Sequence, residues 1–334
     1  MAKPGRPSRQ TIFSQVQAAV TELHDRLGGL PSAHEAEDIW GEIWSHEAHN
    51  STAIEGNTLV LHQVEVLLRE NRAVGAKELR EYNEVRGYAD AARWVYDQSS
   101  ARPTELRGVL LTLQDLRRIH HAAMTPVWSV DPHPNAGADE TPGNFRRHNI
   151  RPFPGGMAPP DFTDVPALLA DWVAAVQRLP EDIGVQLIER VAERHAAFER
   201  IHPFLDGNGR TGRLITNLVL VRLGYPPIII DKRDRPRYLA ALDRADHGDA
   251  GRLAELFARA MLASLNRFII PAVAGPARFV PLAALATPEV SARALRMAAE
   301  RGRLRAIKGD DGLWRTSQRM VEQYVKNRHQ RIAR

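Results

Sequence analysis

The chain has no cysteine. That excludes disulfide cross-links, thiolate catalysis and Cys-ligated zinc, and removes any sign of a secreted disulfide scaffold. Nothing else in the sequence offers zinc a site: His46-Glu47-Ala48-His49 sets its histidines three apart, one residue short of HExxH, and His195 and His202 make no better pair. No apolar run reaches the length of a membrane span, and the opening MAKPGRPSRQ lacks the apolar centre of a signal peptide. These absences together predict a cytoplasmic protein without a membrane partner.

What is present is ordinary in bulk and uneven in detail. With 334 residues, 43% apolar and 25% charged, the chain can bury one large core, or one core and a smaller module. Charge divides sharply: from Pro276 onward there are 13 Lys or Arg against 5 Asp or Glu, whereas the first 275 residues hold 32 against 35. A nucleic acid or an acidic protein is the kind of partner that such a basic tail suits.

Periodicity predicts helices at about 12–27, 36–54, 61–71, 77–98, 113–124, 164–179, 181–201, 214–223, 237 onward and 253–268, an all-α core. Residues 1–10, polar and rich in Pro and Gly, read as a disordered lead-in. Twelve Pro or Gly from Thr125 to Pro160 break the pattern into a long loop.

Between two of the helices lies the most specific stretch, His202 to Arg213, HPFLDGNGRTGR. Gly207-Asn208-Gly209 frees the backbone and delivers unpaired N–H groups at a helix start, which with the helix dipole makes a seat for anions. Arg210 and Arg213, three apart on one face, can each grip a phosphate of a chain of phosphates. Asp206 is a hard oxygen donor of the kind that holds Mg²⁺ together with substrate phosphates. His202 is the one group in the turn that titrates near neutrality, as a general base should. These roles combine into attack of a hydroxyl on a nucleotide phosphate.

HPFLDGNGRTGR resembles the Fic family signature, His-x-Phe-x-Asp/Glu-Gly-Asn-Gly-Arg-x-x-Arg, at every specified position. The resemblance implies a Fic-type helical core with a small β-hairpin flap, and transfer of AMP from ATP to a Ser, Thr or Tyr hydroxyl of a protein, with the chain itself as one target. It implies His202 as base, Asp206 as Mg²⁺ ligand, Gly207, Asn208, Gly209 and Arg210 around the α- and β-phosphates, and Arg213 on the γ-phosphate. A kinase-like branch has Lys where this chain has Gly209, so Gly209 favours adenylyl transfer. Tyr238 corresponds to a residue beside the adenine, and is equally readable as core.

A second motif stands far upstream. Ser51-Thr52-Ala53-Ile54-Glu55-Gly56-Asn57 puts Glu55 one turn after Ser51, just before a glycine suited to cap the helix. A carboxylate there opposes the helix dipole, so another group should hold it. The stretch is similar to the inhibitory Ser/Thr-x-x-x-Glu-Gly/Asn motif of many Fic proteins. By that resemblance Glu55 pairs with Arg213 and blocks the γ-phosphate, with Ser51 and Gly56 as the rest of the motif and no separate antitoxin needed. Glu55 activating water, for removal of AMP, is the alternative use of the same residues.

Within the long loop, Phe145-Arg146-Arg147-His148-Asn149-Ile150 resembles the flap that holds a target segment extended; a solvated Arg-rich loop is the other reading. The expected organisation is then 11–110 as the N-terminal helical region with the inhibitory helix, 111–270 as the catalytic core with its flap near 143–156, 271–277 as linker, and 278–334 as a basic module resembling a winged helix-turn-helix. Arg293, Arg296 and Arg301 on a helix, with Arg305, Lys308 and Arg315 in the wing, are its DNA-binding candidates. A DNA-binding regulator whose core senses nucleotide is the remaining alternative, and a homodimer fits any of these.

Overall fold

The computed structural model describes residues 7–31, 37–98, 109–151, 153, 157–274, 279–309 and 312–328. It is helical throughout its main body: α1 (Arg9–Leu27), α2 (Glu37–Ile54), α3 (Leu61–Glu70), α4 (Leu79–Tyr96), α5 (Leu113–Trp128), α6 (Val165–Gln177), α7 (Leu187–Ile201), α8 (Asn208–Arg222), α9 (Arg235–Asp246), α10 (Gly251–Ser264) and α11 (Ile270–Val273). At the centre lies α8, buried on all sides from Asn217 to Val221, with α2, α4, α5 and α7 packed around it. Its apolar residues, Leu214, Ile215 and Leu218 to Val221, face several sides, and its polar ones are enclosed with them. α1 closes the far side against α10.

Several boundaries differ from those expected, each for a local reason. α1 starts at Arg9 because the Ser8 hydroxyl accepts from the Thr11 N–H at 3.1 Å, a helix cap; residues 1–6 lie outside the described region. α5 continues past Met124 through Pro126, whose carbonyl accepts from Asn83 Nδ2 of α4 at 2.8 Å. The expected helix over 181–201 begins only at Leu187, since Leu179–Asp182 is a 3₁₀ turn that opens with Pro180. The 271–277 linker is helical at its start: a π turn, Leu265–Ile269, joins α10 to α11 and Ile270 is buried, while 275–278 are not described. The run Gly251–Val273 is in fact long and apolar enough to cross a bilayer. In this fold its apolar side, with Leu253, Phe257, Met261 and Leu265, is core.

The last described residues build a module with its own small core of Leu282, Val290, Leu295, Ala298, Ala299, Leu304 and Val321. It contains α12 (Ala292–Glu300), α13 (Gln318–Asn327) and a three-stranded antiparallel sheet in the order β1-β3-β2. β1 (Val280–Pro281) pairs with β3 (Trp314–Thr316), which pairs with β2 (Ile307–Lys308). The β2–β3 hairpin carries Lys308 and Arg315, two of the three expected wing residues, and a 3₁₀ turn, Leu282–Leu285, precedes α12. Arg293, Arg296, Arg301, Arg305 and Lys308 are exposed. Arg315 is not a groove-facing residue: its guanidinium is spent on Glu22 of α1 at 2.7 Å, with 12% and 15% of the two side chains exposed, which ties module to core.

Candidate functional site

The expected turn joins α7 to α8. α7 stops because His202 takes a left-handed conformation (φ 48°, ψ 60°), with its N–H on the Phe198 carbonyl at 3.1 Å. A non-glycine residue there is uncommon, and the conformation is one that functional sites retain. His202 Nδ1–H donates to the Glu199 carbonyl at 3.1 Å, which leaves Nε2 as the ring's acceptor. Burial pushes its pKa down to about 4, against the opposing pull of that bond, so the ring is neutral near pH 7.

The loop is then closed from within. Asn208 Oδ1 accepts the Phe204 N–H at 2.9 Å and Nδ2 donates to the Phe204 carbonyl at 2.8 Å, so this side chain clamps the turn rather than facing a ligand. Gly207 has φ 78°, and a Cβ there would come within 2.6 Å of the Met124 sulfur. α8's first internal bond runs from the Thr211 N–H to the Gly207 carbonyl, so the N–H groups of Asn208, Gly209 and Arg210 have no helical acceptor.

Charge gathers around that helix start. Asp206 Oδ1 accepts from the Gly207 N–H at 2.6 Å and from Arg210 Nη2 at 3.1 Å; Oδ2 lies 3.5 Å from Arg80 Nη2. Burial would raise the Asp206 pKa, but the Arg210 charge and the Gly207 bond bring it below the usual carboxylate range. Arg210 is almost fully buried, and its Nε and Nη1 have no hydrogen-bond partner; Glu84 Oε1 stands 3.7 Å from Nη1. Buried guanidinium N–H groups without acceptors are costly. An anion seated at the start of α8 would satisfy them.

Arg213 is buried and fully engaged. Its Nε donates to Ser51 Oγ at 2.7 Å, and Nη2 donates to the Ser51 carbonyl at 3.0 Å and to Glu55 Oε1 at 2.7 Å. Glu55 lies across the first turn of α8, where a Cβ on Gly209 would collide with its Oε1. Burial pushes the Glu55 pKa up, but Arg213 more than offsets it and holds the group ionised. Even so, 38% of the side chain remains open to solvent. α2 delivers Glu55 by ending at Gly56 (φ 111°), with the Asn57 N–H on the Thr52 carbonyl and Arg235 Nε on the Ile54 carbonyl at 2.6 Å.

Of the two readings of Tyr238, beside the adenine or in the core, the structure favours the core. This residue is 1% exposed, its hydroxyl bonds His195 Nε2 at 2.7 Å, and its ring lies 5.9 Å from the Arg213 guanidinium. It supports Arg213 from beneath.

The flap residues divide. Arg146 is buried and braces the turn, donating from Nε to the His202 carbonyl at 2.9 Å and from Nη2 to the Pro160 carbonyl at 2.6 Å. Phe145 packs on Phe204, Arg147 pairs with Asp139 at 2.6 Å, and Asn149 bonds Asp161 at 2.8 Å. His148, Asn149 and Ile150 line an open pocket of about 560 Å³ with Leu205 of the turn. Residues 143–151 form a bent loop without a ladder; 152 and 154–156, the rest of the expected flap, lie outside the described residues.

Sequence reasoning missed the helix residues that complete the site. Arg80 and Glu84 come from α4, and His120 from α5. His120 Nδ1 accepts the Gly143 N–H at 2.7 Å and Nε2–H donates to the Asp206 carbonyl at 3.0 Å, while its ring stacks on Phe204 at 3.6 Å. Burial holds it neutral, with a pKa of about 3. It couples the flap to the turn.

A helical core with an anion seat at the α7–α8 turn defines the class, and comparison with known proteins identifies the domain that carries it. Residues 110–220 match the model of the Fic/DOC family, so the chain carries a Fic/DOC domain. It is 30% identical over 236 residues to "Protein adenylyltransferase Fic" of Drosophila willistoni, a match covering 70% of this chain and 42% of that protein. The Drosophila melanogaster protein of the same name matches at 30% over 231 residues, 69% of this chain and 42% of its own. The chain thus spans less than half the length of the curated relatives it matches. Among solved structures, Fic-1 (residues 134–508) of C. elegans superposes with TM-score 0.60 at 27% identity, over 77% of this chain and 72% of that one. A Fic family protein of Desulfovibrio desulfuricans G20 shares the fold over 95% of this chain and 98% of its own, with TM-score 0.54 and 22% identity.

Proposed function

We propose that the chain is a protein adenylyltransferase that moves AMP from ATP to a Ser, Thr or Tyr hydroxyl of a target protein, itself included, and that its own α2 holds it inactive. The observation that carries this is the state of the two arginines. Arg210 has buried donors without a partner, while Arg213 Nε and Nη2 are held by Ser51 and Glu55.

Chemistry follows from the positions. The target hydroxyl loses its proton to His202 Nε2 as its oxygen attacks the α-phosphorus of ATP; the bond to the β-phosphate bridging oxygen breaks and pyrophosphate departs. The α8 N-terminus and Arg210 stabilise the charge that develops on the phosphate oxygens. A segment extended along His148 to Ile150 would present the hydroxyl beside the turn. Mg²⁺ fits the residues present: among the described residues no cluster of three or more ligating side chains occurs, but Asp206 is ionised, and its Oδ2 makes only a long 3.5 Å ion pair with Arg80 while the hydrogen bonds from Gly207 and Arg210 both fall on Oδ1. One carboxylate plus substrate phosphates is how Mg²⁺ is usually held, and it would neutralise charge on the leaving pyrophosphate.

Arg213 cannot serve Glu55 and a γ-phosphate together, so the resting chain admits ATP poorly aligned or not at all. Incubation of wild type and Glu55→Gly with α-labelled ATP and Mg²⁺ tests the reading; label on protein in the variant and little in wild type is expected. For the module we propose a winged-helix-like DNA contact through Arg293, Arg296, Arg301, Arg305 and Lys308, supported by their exposure and by the basic excess of the tail. Binding that weakens steeply with salt is its expected signature.

A further inference from the structure

The inhibitory contact is one rung of a longer ladder. Residues spaced by four along α2 and just past its end meet α8 in turn: Glu47 bonds Asn217 (2.8 Å), Ser51 bonds Arg213 (2.7 Å), and Glu55 bonds the same Arg213 (2.7 Å) while lying against Gly209. The pairs rise along one helix as they fall along the other. Steps of four keep all three residues on one face.

The two ends of this ladder differ in kind. Glu55 is 38% open to solvent and can be displaced by a competing anion, whereas Glu47 is only 3% exposed and wholly committed. Its Oε1 accepts from the Tyr88 hydroxyl at 2.6 Å and from Asn217, and its Oε2 accepts from the Tyr96 hydroxyl. Both tyrosines belong to α4, and Tyr96 stacks on Trp40 of α2 at 4.9 Å. Asn217 is fixed in turn, since its Oδ1 accepts the Ile228 N–H at 2.8 Å and its Nδ2 reaches the Ile228 carbonyl at 3.0 Å. None of these groups touches the phosphate seat, and transfer makes no use of them.

A buried carboxyl is an expensive way to attach a helix, because apolar side chains of equal volume would bind as firmly without desolvating a charge. What a satisfied polar set supplies is a single register: a sliding helix would strand Glu47 without its donors. The register matters here because Ser51 and Glu55 reach Arg213 only if α2 lies at this height on α8.

We infer that Glu47, held by Tyr88, Tyr96 and Asn217, is the pin that sets the register of α2 on α8 and so keeps Ser51 and Glu55 on Arg213. Glu47 is a positioning residue for inhibition, and loosening it opens the phosphate seat without changing any group that contacts nucleotide. The inference rests on the autoinhibited reading of the site.

The test uses the full chain and two readouts. Backbone hydrogen exchange over Ser51–Asn57 is compared between wild type, Glu47→Leu and Glu47→Gln, and self-labelling from α-labelled ATP is measured with and without Glu55→Gly. Glu47→Leu should speed exchange over 51–57 by about tenfold or more, leave α10 unchanged, and raise labelling toward the Glu55→Gly level. Added to Glu55→Gly it should alter labelling by less than about twofold, because the contact it positions is already gone. Glu47→Gln, which keeps one acceptor oxygen and the shape, should restore most of the wild-type behaviour. Unchanged exchange over 51–57, or faster exchange spread equally through α8 and α10, would overturn the pin. A Glu55→Gly chain that fails to label overturns the transferase reading instead, and exchange then decides the pin alone. Should Glu47→Leu not fold, Tyr96→Phe, which removes one donor and keeps the ring, carries the same measurements.

Discussion

On the proposed mechanism His202 would meet its substrate as a neutral ring, because burial has lowered its pKa to about 4 and the Glu199 carbonyl has fixed its tautomer. The base is competent above that pKa and lost below it. Transfer by Glu55→Gly should therefore stay level from pH 8 to about pH 5 and fall only as pH approaches 4; an acidic limb near 6.5, the ordinary value for histidine, would contradict this. Glu47 gives the opposite kind of dependence. Burial lifts its pKa to about 7 despite the bonds from Tyr88, Tyr96 and Asn217 and the charge of Arg213. The native state thus holds this proton more tightly than the unfolded chain does, and the group's contribution to stability is complete below about pH 4.5 and lost as pH rises through 7. Urea unfolding of wild type against Glu47→Gln should show the difference move against wild type between pH 5 and pH 8. At this scale the sequence discloses what shares a motif. His202, Asp206, Arg210, Arg213, Ser51 and Glu55 are readable from spacing and from a carboxylate misplaced on a helix dipole. Arg80, Glu84, His120 and Glu47 are not, since a lone polar residue on an amphipathic helix reads as solvated until another helix buries it.

The turn as an element depends on backbone conformation as much as on side chains. Gly207→Ala forces a Cβ into φ 78° and against the Met124 sulfur, so it should cost about 1–3 kcal/mol in chemical unfolding and also displace the α8 N-terminus. Met124→Ala combined with it should recover the steric share but not the strain. Beside the Glu55–Arg213 contact, Ser51→Ala removes the hydroxyl that accepts from Arg213 Nε while leaving Glu55 in place. Basal transfer should rise by roughly threefold to tenfold, less than for Glu55→Gly, as the loss of one charge-assisted bond implies. Most helices were legible from their periodicity, and the errors have local causes: the Ser8 cap, a proline accommodated inside α5, and a 3₁₀ turn before α7. The inward turn of the Asn208 side chain and the burial of Tyr238 could not be read beforehand, because a motif gives a position in the chain and not the direction of a side chain.

On the scale of the whole molecule, the core and the basic module are joined by the Arg315–Glu22 pair as well as by chain continuity. Arg315→Ala strands Glu22 partly buried without its main partner and should cost about 2–4 kcal/mol, seen as faster proteolysis between core and module. The same substitution should leave DNA affinity unchanged, whereas Arg293→Ala with Arg296→Ala should weaken it and reduce its salt dependence. The sequence disclosed the module's basicity and hairpin, but not β1 or the docking of Arg315. A two-residue strand with Pro281 at its end has no periodicity to read, and an arginine's partner 293 residues away in the chain is set only by the fold. One measurement bears most directly on the transferase held by its own helix: label transfer from α-labelled ATP with Mg²⁺ in wild type, Glu55→Gly, and Glu55→Gly with His202→Ala. Label on protein in the second lane alone, at tenfold or more above the others, is predicted. Equal label in the first two lanes, or label that survives loss of His202, would contradict it.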